Sequence, residues 1–351
     1  MTAVAENPTS TSTSSNTSDT AASAAAPSPF LVLAGTVRRV ERLSPSFVRI
    51  TLGGEGFDDF GPDGSTLDLR IKLLIAEPGR PLPLHLASSD SWYTDWLALP
   101  EHERGHLRTY TARYVRGEGH GRELVVDFVL HGTDAAHPGE PGPAAAWAAA
   151  AAVGDEVGVI GPRRGLDRRF SGVEFEPGEA RRLLLVADET ALPALSSILE
   201  SLDPDTRGCA VVEVPQEADF LPVAAPSGVD VHWIARGDAT RGAASVTTLH
   251  AECGLPSVTG AVTSGVTSGV TGPAVTADGD DDVWETPVYS ASGEDVTDEA
   301  TTPVGPDETY AWVAGDSATV KTVRRLLVGE LGMPRHQVAF MGYWKSGATQ
   351  I

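Results

Sequence analysis

Apolar residues change their spacing once along this chain, and that change limits the fold more than any other feature. From Leu31 to Leu130 they alternate with polar ones. The pattern predicts strands over Leu31–Val40, Phe47–Leu52, Leu67–Ile75, Leu107–Val115 and Glu123–Leu130, each with one face buried. Turn residues separate them, at Ser44-Pro45, Gly53-Gly54, Pro62-Asp63-Gly64 and Gly117-Glu118-Gly119. An Ala-rich helix is predicted after Gly142-Pro143, reaching Ala152, and Glu156–Ile160 supplies a sixth strand. Short strands at this spacing with one helix make a small antiparallel barrel. From Arg182 onward the apolar runs are continuous: Arg182–Ala187, Cys209–Val214, Val231–Ala235, Tyr310–Ala314 and Gln337–Tyr343. Helices are predicted between them over Ala191–Leu202 and Ser317–Leu331. Unbroken apolar strands alternating with helices mean a parallel sheet covered on both faces. The expected fold class is therefore β followed by α/β: a six-stranded antiparallel barrel over residues 30–178, then a doubly wound parallel sheet over residues 179–351.

Two segments fall outside this pattern. Residues 1–29 are mostly Ala, Ser and Thr, with Glu6 and Asp19 and no Arg or Lys. A secretory signal needs a basic start and an apolar stretch, and a transit peptide needs arginines. The segment is expected to be a disordered tail. The second segment, about residues 256–308, opens with the repeat Val262-Thr263-Ser264-Gly265 and Val266-Thr267-Ser268-Gly269, then carries eleven acids and no base. Half of the net charge of −22 thus belongs to an insertion too polar to bury a core, expected to be solvated and dispensable. The acidic balance argues against nucleic acid and anionic membranes as partners. No apolar run reaches membrane-spanning length, and no protein-bound metal is expected of the histidines. Cys209 and Cys253 are expected to be separate thiols that build neither a disulfide framework nor a metal site, which suits a reducing cytosol and a cytoplasmic protein.

Four short segments carry the chemistry, in a set order. Arg108-Thr109-Tyr110-Thr111 lies on a predicted strand, with Asp127, Val129 and His131-Gly132 on the next. Gly142-Pro143-Ala144-Ala145 opens a helix, whose start offers free N–H groups and a positive dipole end to phosphate, with Pro143 where no N–H is needed. Ala187-Asp188-Glu189-Thr190-Ala191 turns from a buried strand into a helix, and Gly342-Tyr343-Trp344-Lys345-Ser346-Gly347 closes the chain. Taken together they resemble the siderophore-interacting protein family of flavin-dependent ferric-siderophore reductases, within the ferredoxin-reductase superfamily. No Gly-x-Gly-x-x-Gly is present.

The resemblance implies FAD held by Arg108, Tyr110, Thr111, Asp127, Val129, His131, Pro143, Ala144 and Ala145. Arg108 would fork onto the pyrophosphate, and the Tyr110 ring would lie along the isoalloxazine. Ala145 departs from the serine usual there, which removes one hydroxyl contact. Trp147 reads equally as core and as an adenine platform. NADPH or NADH would meet the sheet edge at Asp188, Glu189, Thr190, Ala191, Arg236 and Gly315. Asp188 also reads as a plain helix cap, and Arg236 either as a 2′-phosphate clamp or as a solvated charge. Ser317 reads as an N-cap. Lysine is scarce, with Lys72, Lys321 and Lys345 against 23 arginines. Lys72, on one predicted strand face with Asp68 and Arg70, and Lys345, in the closing motif, match substrate-side positions for an anionic ferric siderophore. Each also reads as an ordinary solvated charge. Reduced ferredoxin remains open as a further partner. The expected activity is transfer of electrons from NAD(P)H through FAD to Fe(III)-siderophore, without a dedicated catalytic acid or base or a protein-bound metal. A general flavin reductase on the same scaffold, or a siderophore-binding module without reductase activity, are the rival readings.

Overall fold

A computed structural model describes residues 28–85, 91–131, 141–166, 172–255, 284–286, 289–290 and 303–345. The tail up to residue 27, most of the acidic insertion, Gly132, Ser346 and Gly347 lie outside the described residues. The first sheet contains β1 (Phe30–Ser44), β2 (Phe47–Gly53), β3 (Arg70–Ile75), β4 (His106–Thr111), β5 (Tyr114–Arg116), β6 (Glu123–Val129) and β7 (Glu156–Pro162). They run antiparallel in the order β4-β3-β7-β1-β2-β6-β5. Seven strands replace the expected six because the chain breaks at Ala112-Arg113, splitting the predicted Leu107–Val115 strand into β4 and β5. The curl closes around Ile50, Leu52, Ile71, Leu73, Val126 and Phe128, every second residue of their strands. The predicted alternation through Asp68, Arg70 and Lys72 fails at its first member. Leu67 takes φ 51° and the chain turns before β3, so Asp68 is buried while Lys72 is exposed. Two short helices, α1 (Trp92–Ala98) and α2 (Glu101–Arg104), precede β4, and α3 (Pro143–Ala150) lies against β2, β3, β4 and β6.

The second sheet holds β8 (Arg182–Asp188), β9 (Arg207–Val214), β10 (Gly228–Ala235), β11 (Trp284–Thr286), β12 (Tyr289–Ser290), β13 (Thr309–Asp316) and β14 (Val338–Trp344), in the order β10-β9-β8-β13-β14-β11-β12. The first five in that order are parallel, and their order reverses between β8 and β13. The continuous apolar runs follow from this placement. Leu183, Leu185 and Ala187 face α4 (Leu192–Ser201), while Leu184 and Val186 face α5 (Ala243–Ala251) and α6 (Ser317–Arg324). Phe47, Leu67 and Val129 from the first sheet share the core of the α4 face, so one apolar layer joins the two sheets.

Two expectations are corrected here. The insertion does pack in part: β11 adds antiparallel to β14, Trp284 stacks on Tyr343 at 6.1 Å, and Glu285 pairs with Arg324 at 2.6 Å. The cysteines are joined as a disulfide, with Cα atoms 5.6 Å apart across 44 residues of sequence. Helix α5 runs back along β9 and returns Cys253 to Cys209, a juxtaposition that sequence spacing does not show. The thiol argument for a reducing compartment falls with it. No helix among the described residues is long and apolar enough to cross a membrane.

Candidate functional site

Two strands and a helix end build the first half of the site. Arg108 and Tyr110 share one face of β4, and Lys72 and Thr109, directly opposite each other, take the other face. Arg108 is half-buried, and its guanidinium donates to the Leu107 carbonyl at 2.9 Å. No carboxylate pairs with it among the described residues, and burial lowers its pKa. A half-buried guanidinium without an acid fits an anionic group. Nearby, α3 starts at Pro143 with no side chain capping its first turn, and Ala144 and Ala145 are buried and small. Tyr110 lies 4.5 Å from Phe128, which lies 5.6 Å from Trp147, so an aromatic row connects β4, β6 and α3. Burial pushes the Tyr110 phenol up, keeping it neutral. A flat group with a pyrophosphate tail, such as FAD, fits this corner: cation, dipole end and aromatic wall lie on one side of the curled sheet.

The second half is the edge of the parallel sheet where strand order reverses, the usual crevice for a nucleotide. A small cleft there is lined by Asp188, Glu213, Arg241, Ser245, Asp316 and Thr319, with Val186, Val313 and Val320 at its floor. Asp188 ends β8 and is 8% exposed. One of its oxygens accepts from Thr190 N (2.8 Å), Thr190 Oγ1 (2.6 Å) and Ala191 N (3.2 Å). The other accepts from Asp316 N and Trp344 Nε1, both at 2.8 Å. Burial and the neighbouring Glu189 nevertheless raise its pKa to about 6. Gly315, at φ 142°, runs against this carboxylate; a Cβ there would sit 2.5 Å from Asp188 Cγ. Burial alone would raise the Glu189 pKa as well. Arg236, with both terminal nitrogens at 3.0 Å, and Arg241 at 2.6 Å overcome this and hold it low. Arg241 also lies over the Trp344 ring, 4.6 Å from its centre, and the His131 ring lies 5.9 Å from that of Trp344. Trp344 therefore connects the two halves.

Two family profiles cover the two halves of the chain. A profile described as the siderophore-interacting FAD-binding domain covers residues 36–166, and one described as the siderophore-interacting protein covers residues 180–347. An NADPH-dependent ferric-chelate reductase of Escherichia coli is 32% identical over 208 residues, which is 58% of this chain and 71% of that protein. The chain belongs to the siderophore-interacting protein family. An uncharacterized protein of Mycobacterium tuberculosis is 39% identical over 201 residues, spanning 56% of this chain and 62% of that relative's length. In fold, the chain is similar to the crystal structure of a siderophore utilization protein from T. fusca, at TM-score 0.60 and 24% identity over 92% of this chain and 96% of that one. The barrel-then-sheet architecture is also similar to that of a ferredoxin NADP+ reductase from Neisseria gonorrhoeae, at TM-score 0.50 and 12% identity over 91% of this chain and 100% of that one.

Within this siderophore-interacting protein, the residues expected at the site divide into three groups. Arg108, Tyr110, Pro143, Ala144 and Ala145 gather at the first corner. Thr111 is buried beside them. Asp188, Glu189, Thr190, Ala191 and Gly315 gather at the sheet edge, with His131 and Lys345 on the seam by Trp344. The rest are used otherwise. The Asp127 carboxylate forks onto Arg49 at 2.6 and 2.7 Å, Val129 is buried in the shared core, and Trp147 packs on the barrel core. Arg236 is turned onto Glu189 and Glu213, so its guanidinium is not presented to a 2′-phosphate. Asp316, not Ser317, caps α6 by accepting from Thr319 N at 3.1 Å; Ser317 instead donates to the Trp344 carbonyl at 2.9 Å. Glu213 and Arg241 went unselected in sequence, and Trp344 was singled out only as part of the closing motif. The one available signal was Glu213, an acid inside the apolar run Cys209–Val214, a position that implies a buried partner.

Proposed function

We propose that this protein is a ferric-siderophore reductase that passes electrons from NAD(P)H through FAD to an Fe(III)-siderophore, which then releases Fe(II). The observation that carries the reading is the seam: an anion-ready corner on the barrel and the cleft at the edge of the parallel sheet are joined through His131, Trp344 and Arg241. Bound FAD supplies the conversion between two-electron donors and a one-electron acceptor. Arg108 and the start of α3 would hold the pyrophosphate, and Tyr110, backed by the buried Phe128, would lie along the flavin ring. Asp188, tied to five donors, sets the height of the Gly315 turn and the angle of Trp344, and so shapes the approach of the donor. Arg241 stands at the lip of the cleft, where a nucleotide phosphate would pass. Lys72, bonded to Thr109 Oγ1 at 2.7 Å, faces away from the Arg108 side and offers an ammonium to an anionic chelate. A chelator built for Fe(III) holds Fe(II) poorly, which frees the metal after reduction.

Stopped-flow spectroscopy tests the reading directly. NADPH or NADH should bleach the bound flavin, and ferric catecholates and hydroxamates should restore its colour. Lys72→Ala should slow recovery with highly charged catecholates more than with neutral hydroxamates. The difference should shrink in high salt, because such attraction is screened beyond roughly 10 Å at 0.1 M. Reduction by the donor should be unchanged. Recovery no faster with ferric chelates than with oxygen alone would instead favour a general flavin reductase.

A further inference from the structure

A second cluster of ligating side chains lies away from the cleft, toward the opposite end of the same sheet. Cys209 stands four residues, or roughly 13 Å, before Glu213 along β9. His232 sits on β10 opposite Val211, and Cys253 follows the end of α5. Their ligand atoms, the Cys209 and Cys253 Sγ and one ring nitrogen of His232, all lie within 4.8 Å of one another. The two sulfurs are bonded to each other, and His232 Nε2 is buried with no hydrogen-bond partner. An imidazole beside the chain's only two cysteines, with a buried ring nitrogen that has nothing to bond, fits a ligand better than a core histidine.

We propose that in the dithiol form these three atoms hold a thiophilic divalent ion of the zinc class. Two thiolates and an imidazole suit that ion, and with Zn–S near 2.3 Å and Zn–N near 2.0–2.1 Å its ligands stand roughly 3.3–3.8 Å apart. The cluster needs only a small rearrangement to meet this spacing. Three protein ligands leave a fourth position for water, and Cys253 and His232 are only half-buried, which gives the ion a way in. The disulfide is the metal-free state of the same site. In reduction, a dithiol supplies two electrons and two protons, the Sγ–Sγ bond breaks, and the dithiol leaves as its own disulfide. The two cysteine thiols lose those protons to solvent as they ligate. In both states the end of α5 is tied to β9, while its start bonds Glu213 through Gly242 N and Ser245 Oγ beneath the nucleotide cleft. The site is thus a thiol-dependent anchor for the helix that supports that cleft.

The test uses the full chain in its disulfide and reduced forms, so no substitution is required for the main comparison. Co(II), then Zn(II), is titrated into each after chelator treatment. The reduced protein should take up one equivalent of Co(II) with sulfur-to-metal charge-transfer absorption and the strong visible bands of tetrahedral geometry. Zn(II) should abolish both signals. Oxidation by a low-molecular-weight disulfide should release the ion. His232→Ala should weaken Zn(II) binding by about tenfold or more while leaving the sulfur signal at saturating Co(II). Reduced protein that binds no more Zn(II) than the disulfide form, or shows no sulfur charge transfer, overturns the site. His232→Ala binding Zn(II) as tightly as wild type overturns the ligand set.

Discussion

Arg108 and Asp188 show how one side chain's surroundings set what it does. Arg108 keeps a half-buried cation without an acid partner among the described residues, an arrangement costly to maintain unless an anion completes it. A charge-assisted contact of this kind is worth about 1.5–3 kcal/mol, so Arg108→Ala should lower flavin affinity roughly 10- to 150-fold. Absorbance of the purified variant and flavin titration check this; retention of full flavin would remove Arg108 from the pyrophosphate. Asp188 provides a pH signature. Its pKa is raised from 3.8 in the unfolded chain to about 6 in the folded one. The folded state therefore binds the proton more tightly, and this contribution to stability is fully present below about pH 3.8 and lost as pH rises through about 6. Asp188→Asn has no such titration. Wild type should lose ground to Asp188→Asn across this window when unfolding is followed in urea at several pH values. A difference that is flat with pH would show that the carboxylate titrates alike in both states.

Among elements, the short strand β11 separates what the insertion contributes from what merely lengthens the chain. Trp284 stacks on Tyr343 and receives the Arg70 guanidinium 4.2 Å from its ring centre, and Glu285 binds Arg324. Removing residues 257–281 and rejoining the ends with a Gly/Ser linker should shift stability by about 1 kcal/mol or less, since closure entropy changes slowly with loop length. Trp284→Ala should cost more, about 2 kcal/mol for a half-buried indole. Thermal unfolding of the two proteins distinguishes these outcomes; equal effects would mean that β11 adds nothing to the sheet. Composition set an acidic stretch apart from the main pattern. It hid β11 because three residues among some fifty polar ones carry no period that a reader can detect.

At the scale of the molecule, the two sheets are joined by buried polar contacts as well as by the shared apolar layer. The Asp219 carboxylate, fully buried, accepts from Ser44 Oγ at 2.6 Å, Ser46 N at 2.9 Å and Ser46 Oγ at 2.8 Å across the junction. Arg113 reaches Glu200 in the same way, and Asp68 accepts from Trp312 Nε1 at 3.0 Å. Asp219→Ala would strand three donors, at about 1–3 kcal/mol each where water does not enter. Calorimetry should then resolve two transitions where wild type shows one, with a fall in the first; a single unshifted transition would make this latch dispensable.

The order of elements and the change from a half-buried antiparallel sheet to a doubly covered parallel one were both legible in the chain. Each rests on local spacing or local backbone chemistry, which a sequence states directly. The partners of Arg236, Asp127 and Asp188, the joining of Cys209 to Cys253, and the role of Trp344 were decided only by tertiary structure. A buried charge takes whichever opposite charge or donor the fold brings within 3 Å, and for these residues that partner lies between 2 and 156 positions away in sequence.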